Sequence, residues 1–284
     1  METKKLYLSS YQLKWIALVF MTIDHLAMIV ELIPVIASCA TLLRLLGRIA
    51  APLFLFVLTE SIRYTRSKSK LILRLYIAGV STGLFTLITN LIFGKILFFS
   101  PGNIFFTYFY TAVYIYFVEN MIKAINEQNV KKTIIFTAGI FSTIVPQLLC
   151  WWFDALKIST AGIKWKIVLR DILNSIIPPT LYIEYSLLFV IMGVLLYFVK
   201  ERRLQYIVFL CFCALSFFGA SINRDLWPFN DFFESQQCWM VLAMPIMLLY
   251  NGKEGKSHKG FFYVYYPVHR YLISLLATLI GMQL

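Results

Sequence analysis

Charge is scarce in this chain. Only 14% of its 284 residues are Asp, Glu, Lys or Arg, against about 25% in ordinary soluble domains, and that shortfall excludes one or two water-soluble globular units. Glycine (13) and proline (9) are too few for a collagen-like or Gly/Pro-rich disordered chain. The five cysteines, Cys39, Cys150, Cys211, Cys213 and Cys238, have neither zinc nor disulfide-framework spacing, and four lie in or beside apolar stretches, where they read as small hydrophobes. What the chain has instead is apolar mass: 60% hydrophobic residues, 17% aromatic, and a mean hydropathy of +0.75. A water-soluble core of this size cannot absorb that surface, so the composition predicts an integral membrane protein. Its apolar runs are long and unbroken instead of alternating, which favours an all-α helical bundle over a barrel.

The net charge of +12 falls in short clusters between apolar runs. That pattern fits the cytoplasmic loops of a bilayer protein and not a continuous basic face for nucleic acid. Spans of about 20 residues give a polytopic bundle of about nine helices, with eight or ten as alternatives: Tyr11–Val30, Leu46–Tyr64, Leu71–Ile92, Asn103–Ile125, Thr133–Phe153, Leu181–Val199, Gln205–Ser221, Glu234–Tyr250 and Gly260–Met282. Nine spans put Lys4, Lys5, Arg63, Arg66, Lys68, Lys70, Arg74, Lys123, Lys131, Lys132, Lys200, Arg202, Arg203, Lys253, Lys256 and Lys259 on one side. The N-terminus is therefore expected in the cytoplasm. The opposite loops hold Arg44, Arg48, Lys95, Lys157, Lys164, Lys166 and Arg170, then an acid-leaning stretch with Arg224, Asp225, Asp231 and Glu234. Residues 1–284 read as a single membrane domain whose first helix is retained, because no small-residue cleavage signal follows it. Within it, residues 154–180 form a longer connection. Ile163 to Ile176 has apolar residues at helical spacing with Lys164, Lys166, Arg170 and Asp171 on the other side, predicting an amphipathic or re-entrant helix that Pro178 and Pro179 end.

An ionisable side chain in lipid costs roughly 2.5–3.5 kcal/mol on insertion scales, so each one needs a partner, a water-filled cavity or a task. Lys14 and His25 on the first helix are eleven positions apart, about three turns, so they project from one face at heights ~16 Å apart. Asp24 points ~100° away and is expected to pair with another helix. Arg48 sits near the outer end of the second helix, where Gly47, Ala50 and Ala51 permit close approach and Pro52 invites distortion; it could hold an anion or a buried carboxylate. Glu60 with Arg63 reads as a solvated pair. Asn103 stands where an N-cap is expected. Glu184 lies near the outer end of the sixth span, between Tyr182 and Tyr185. The last span carries Tyr266, Pro267, His269 and Arg270 at a depth that packing alone does not explain. If that helix faces the first, Asp24, His25, Arg48 and His269 form a polar centre.

Five stretches taken in order, LKWIALVFMTIDH, RLLGRIAAPLFLFVLTE, GNIFFT, QCWMVLAMPIMLLYNGKEG and FFYVYYPVHRYL, resemble the TraX family of multi-spanning membrane proteins. The chain differs from the family's usual pattern at Glu60-Ser61 and at Ser81-Thr82-Gly83-Leu84-Phe85. TraX proteins are associated with N-terminal acetylation of conjugative pilin. They are also similar to wider membrane acyltransferases that carry a basic residue and a histidine at the Lys14–His25 spacing, usually with arginine in the basic position. The resemblance implies an acetyl group moved from cytoplasmic acetyl-CoA to an extracytoplasmic glycan, peptide or pilin-like acceptor. His25, Asp24, Arg48 and His269 would be catalytic; Lys14, Arg270 and Asn103 would hold the donor, and no metal would take part. The expected partners are acyl-CoA, an unidentified acceptor and membrane lipid, with homo-oligomers open and nucleic acid excluded. The alternatives are a proton-coupled transporter or flippase, and a scaffold subunit of a surface-assembly system.

Overall fold

A computed structural model describes residues 7–93, 103–156, 163–181, 183–222, 236–256 and 259–282. Lys4, Lys5, Lys95, Lys157, Tyr182, Arg224, Asp225, Asp231 and Glu234, all weighed above, lie outside them. The architecture is helical: α1 (Ser10–Leu32), α2 (Ala37–Gly47), α3 (Ala50–Tyr64), α4 (Lys68–Phe93), α5 (Ile104–Asn126), α6 (Val130–Ser142), α7 (Val145–Ala155), α8 (Ile163–Ile176), α9 (Ser186–Phe198), α10 (Arg202–Ile222), a 3₁₀ turn (Gln237–Ala243), α11 (Met244–Leu248) and α12 (Lys259–Gly281). Five stretches among the described residues are long and apolar enough to cross a membrane by length and composition: Ser10–Leu32, Ala37–Tyr64, Lys68–Ile92, Val130–Ala155 and Arg202–Ala220. The chain is a helical membrane protein.

α1 starts where Ser9 and Gln12 form a reciprocal capping box. Its first turn is also tied to a distant loop. The N–H of Leu8 donates to the Leu249 carbonyl (2.7 Å), Ser10 to Lys253 (2.9 Å) and Tyr11 to Glu254 (3.0 Å). Gly255 makes that seam possible, because its φ is +76° and a Cβ there would sit 2.7 Å from Ser9 Oγ.

The second span starts earlier than expected. α2 begins at Ala37, not near Leu46, because Arg44 is neutralised by a two-point pair with Glu31 of α1 (2.6 and 2.8 Å) and an apolar helix can continue through it. Between α2 and α3 the helix breaks at Arg48–Ile49, four residues before Pro52, whose missing N–H leaves the Arg48 carbonyl without its helical donor. α3 is then buried over nearly every position from Ala50 to Glu60.

α1 packs against α2, α3 and α12; α5 packs against α4, α6 and α9. The main core joins Leu13 and Ala17 of α1 with Leu53 and Phe56 of α3, Ile115 of α5, Phe189 and Met192 of α9, and Met240. α8 has the expected bounds and lies on α4, where Gly83 meets Ser175; Lys166 donates to the Asp154 and Leu156 carbonyls. Two expected spans are shorter. At Leu181–Val199, left-handed residues at Tyr185 and Ser186 delay the helix to Ser186. At Glu234–Tyr250, the described part is a 3₁₀ turn followed by a five-residue helix opened by Pro245.

Candidate functional site

α1 presents Ser10, Lys14, Leu18, Met21 and His25 along one wall of a cavity of about 550 Å³. Their spacings of four, four, three and four positions are those of one helical face. The volume is in the range of small-molecule sites, about 300–1,000 Å³. α3, the start of α4, the N-terminal turns of α5 and α12 complete the wall. Because α1 and α3 are antiparallel and α4 starts beside the end of α3, the cavity has two chemically different ends. Lys14 lines one end together with Arg66, Lys70 and Arg74, with Glu60 and Glu254 among them. Asp24, His25, Glu184, Tyr185 and Tyr266 line the other.

The deep end holds a histidine pair. Nδ1 of His25 lies 2.7 Å from Nε2 of His269, with the ring centroids 4.8 Å apart and the ring planes 28° from parallel. On its other side, His269 places Nδ1 2.7 Å from the Tyr265 carbonyl oxygen. A carbonyl only accepts, so neutral His269 carries its proton on Nδ1 and accepts at Nε2. His25 must then donate from Nδ1, which leaves the Nε2 lone pair of His25 as the basic position of the pair. His269 is buried and is not among the residues lining the cavity, whereas His25 is. Tyr265 stacks on His269 at 4.7 Å and is pinned by a 2.8 Å hydrogen bond between its hydroxyl and Thr22 Oγ1.

Asp24 also lines the cavity, and its side chain lies against Gly47 of α2, where a Cβ would collide with it. Glycine is required there by close approach. Lys14 extends its ammonium over the Phe262 ring at 5.9 Å. Arg270, one turn beyond Tyr266, is buried and donates to the Tyr266 hydroxyl (2.9 Å).

Four expected site residues are not on the cavity wall: His269 and Arg270, placed above, and Arg48 and Asn103. Arg48 caps the end of α2 and reaches Gln237 Oε1 at 3.5 Å; it is not on the cavity wall. Asn103 is also off the wall, because both ends of its amide serve the backbone. Its Oδ1 accepts from Phe105 N–H (3.2 Å), and its Nδ2 donates to the Gly79 carbonyl of α4 (2.8 Å). Glu60 is not a solvated acid. It is 2% exposed, between Arg63 (3.4 Å) and Arg202 (3.0 Å), and the Arg202 guanidinium is stacked between Phe56 and Tyr250. Arg63 is drawn inward because it also caps α9, donating to the carbonyls of Leu196, Tyr197 and Val199.

Glu184 and Tyr185 sit at the deep end although they lie between helices, since Thr107 of α5 holds the Glu184 carbonyl at 2.6 Å. Only the clustering of an acid with aromatics pointed to them in the sequence. Among the described residues, no group of three or more His, Cys, Asp or Glu side chains is arranged to hold a metal.

No curated protein and no solved structure matches the chain. A family model described as TraX protein matches residues 9–277, which takes in α1, the histidine pair and most of α12, and the chain belongs to the TraX family.

Proposed function

We propose that this protein is a membrane acetyltransferase that takes acetyl groups from acetyl-CoA at the cationic end of the cavity and delivers them to an acceptor hydroxyl or amine beside His25. The observation that carries the reading is the histidine pair, with its basic nitrogen on the His25 side, at the deep end of a cavity whose opposite end gathers Lys14, Arg66, Lys70 and Arg74. Those four cations suit the phosphates of a coenzyme handle, which the basic-loop pattern assigns to the cytoplasmic side. The ~16 Å from Lys14 to His25 along α1 gives a thioester arm a route inward between apolar residues such as Leu18 and Met21.

His25 Nε2 removes the proton of the acceptor hydroxyl or amine as the acceptor attacks the thioester carbon. His269 keeps that nitrogen basic and shares the resulting positive charge through its Nε2, while the Tyr265 carbonyl holds His269 in register. Asp24, lining the same end, adds a negative charge near the imidazolium as it forms. The acceptor belongs to the cell envelope: a glycan, a peptide or a pilin-like protein, the last in keeping with the family resemblance.

The test is transfer of radiolabel from acetyl-CoA to envelope extract by the full chain in nanodiscs. The wild type should transfer label, and His25→Ala should lose about 10²–10⁴-fold of the rate. Equal transfer by both proteins would remove His25 from the chemistry.

A further inference from the structure

A thioester attacked by an acceptor needs a donor for the oxygen that becomes negative, and Arg48, expected among the catalytic residues and able to hold an anion, is not on the cavity wall. Tyr266 is on the wall, held by contacts to its hydroxyl and to its ring. Its oxygen accepts from Arg270 Nη1 at 2.9 Å, and the Arg270 guanidinium carbon lies 5.9 Å from the ring. Its proton is directed at Glu184 Oε2 across 3.4 Å, at the long limit of a hydrogen bond. Its ring is held edge-on by Phe105 at 5.0 Å. A phenol that already accepts from a guanidinium is a polarised donor, and a long bond to a carboxylate is readily exchanged for a shorter one to an oxyanion. Tyr266 precedes His269 by three positions on α12, so the helix that backs His25 with His269 also brings the Tyr266 hydroxyl to the same cavity.

We infer that Tyr266 is the oxyanion donor of the transfer reaction, with Arg270 as the positioning residue that polarises it; this rests on the acetyltransferase reading. The acceptor lone pair forms the new bond to the thioester carbon and its proton passes to His25 Nε2. The carbonyl π pair moves onto oxygen, where the Tyr266 hydroxyl donates to it without giving up its proton. When that pair returns, the C–S bond breaks, and the thiolate takes the proton from His25 to leave as free CoA. No oxidant, reductant or further co-reactant is needed. Glu184, which accepts the Tyr266 hydrogen bond at rest, lines the same end of the cavity.

The experiment compares wild type, Tyr266→Phe and Arg270→Lys in nanodiscs, with radiolabelled acetyl-CoA as donor and envelope extract as acceptor. Tyr266→Phe should lower kcat by about 10²–10³-fold while the KM for acetyl-CoA stays within threefold; Arg270→Lys should lower kcat by about tenfold with the same constant KM. If the wild type transfers label and Tyr266→Phe keeps a kcat within threefold of it, the assignment fails and the acetyltransferase reading stands. If the wild type transfers nothing, both fail. Should Tyr266→Phe not be monodisperse, a 3,5-difluorotyrosine at position 266 decides. The alkaline limb of kcat moves to lower pH if this hydroxyl must stay protonated, and an unchanged profile overturns the inference.

Discussion

At the scale of single residues, the site depends on which atoms can donate. The Tyr265 carbonyl cannot, and this one constraint orients both histidines and leaves the Nε2 lone pair of His25 as the base. The account therefore predicts that nitrogen-15 NMR of histidine-labelled protein will find both rings neutral with the proton on Nδ1. His269→Ala should return His25 to a mixture of tautomers and slow transfer by about an order of magnitude or more, without matching the loss in His25→Ala. A proton on Nε2 of His25 in the resting protein would contradict the geometry. Gly47 makes a second residue-scale prediction. Because a methyl group there would collide with Asp24, Gly47→Ala should cost about 1–3 kcal/mol, read as a lower midpoint of thermal unfolding in detergent. It should also reduce transfer, since Asp24 must move off the cavity wall.

At the scale of elements, Asn103 has a structural task. Its amide closes the first turn of α5 and ties that turn to the Gly79 carbonyl of α4, holding Ile104, Phe105 and Tyr108 at the deep end of the cavity. Asn103→Ala should cost about 1–2 kcal/mol of stability and leave the KM for acetyl-CoA unchanged; a donor-specific KM effect would return it to the binding site.

How far the sequence could be read follows the same division. The Lys14–His25 register was legible because it lies on one uninterrupted helix, where 3.6 residues per turn fix the face. The pairing of His25 with His269 was legible only as a condition on two helices meeting. Glu184 and Tyr185 stood out in the sequence, but their place on the cavity did not, because it depends on left-handed backbone at Tyr185 and on Thr107 of another helix. Glu60 was misread because its second partner, Arg202, comes from a distant helix, and no local pairing rule reaches that far. Span ends failed for a similar reason: Arg44 looked like a boundary until Glu31 neutralised it across the α1–α2 contact.

At the scale of the whole molecule, the cavity has unlike ends, with four cations and the carboxylates of Glu60 and Glu254 at one and Asp24 and Glu184 beside a histidine at the other. This separation is expected of a protein that meets an anionic coenzyme on one side of a membrane and an acceptor on the other. Reversing the charge at Arg66 and Lys70 should raise the KM for acetyl-CoA by about tenfold or more while changing kcat little, because these side chains would bind the handle and not the reacting atoms. A fall in kcat at constant KM would place them nearer the chemistry. The same substitutions should have no effect on acceptor saturation.

The central claim, that His25 moves acetyl groups to the cell envelope, is tested most directly by mass spectrometry of envelope glycans and peptides from cells carrying the intact chain and from cells carrying His25→Ala at equal membrane abundance. The account predicts an envelope species heavier by one acetyl group with the intact chain and its loss with His25→Ala. The same acetylated species at the same level in both would contradict it.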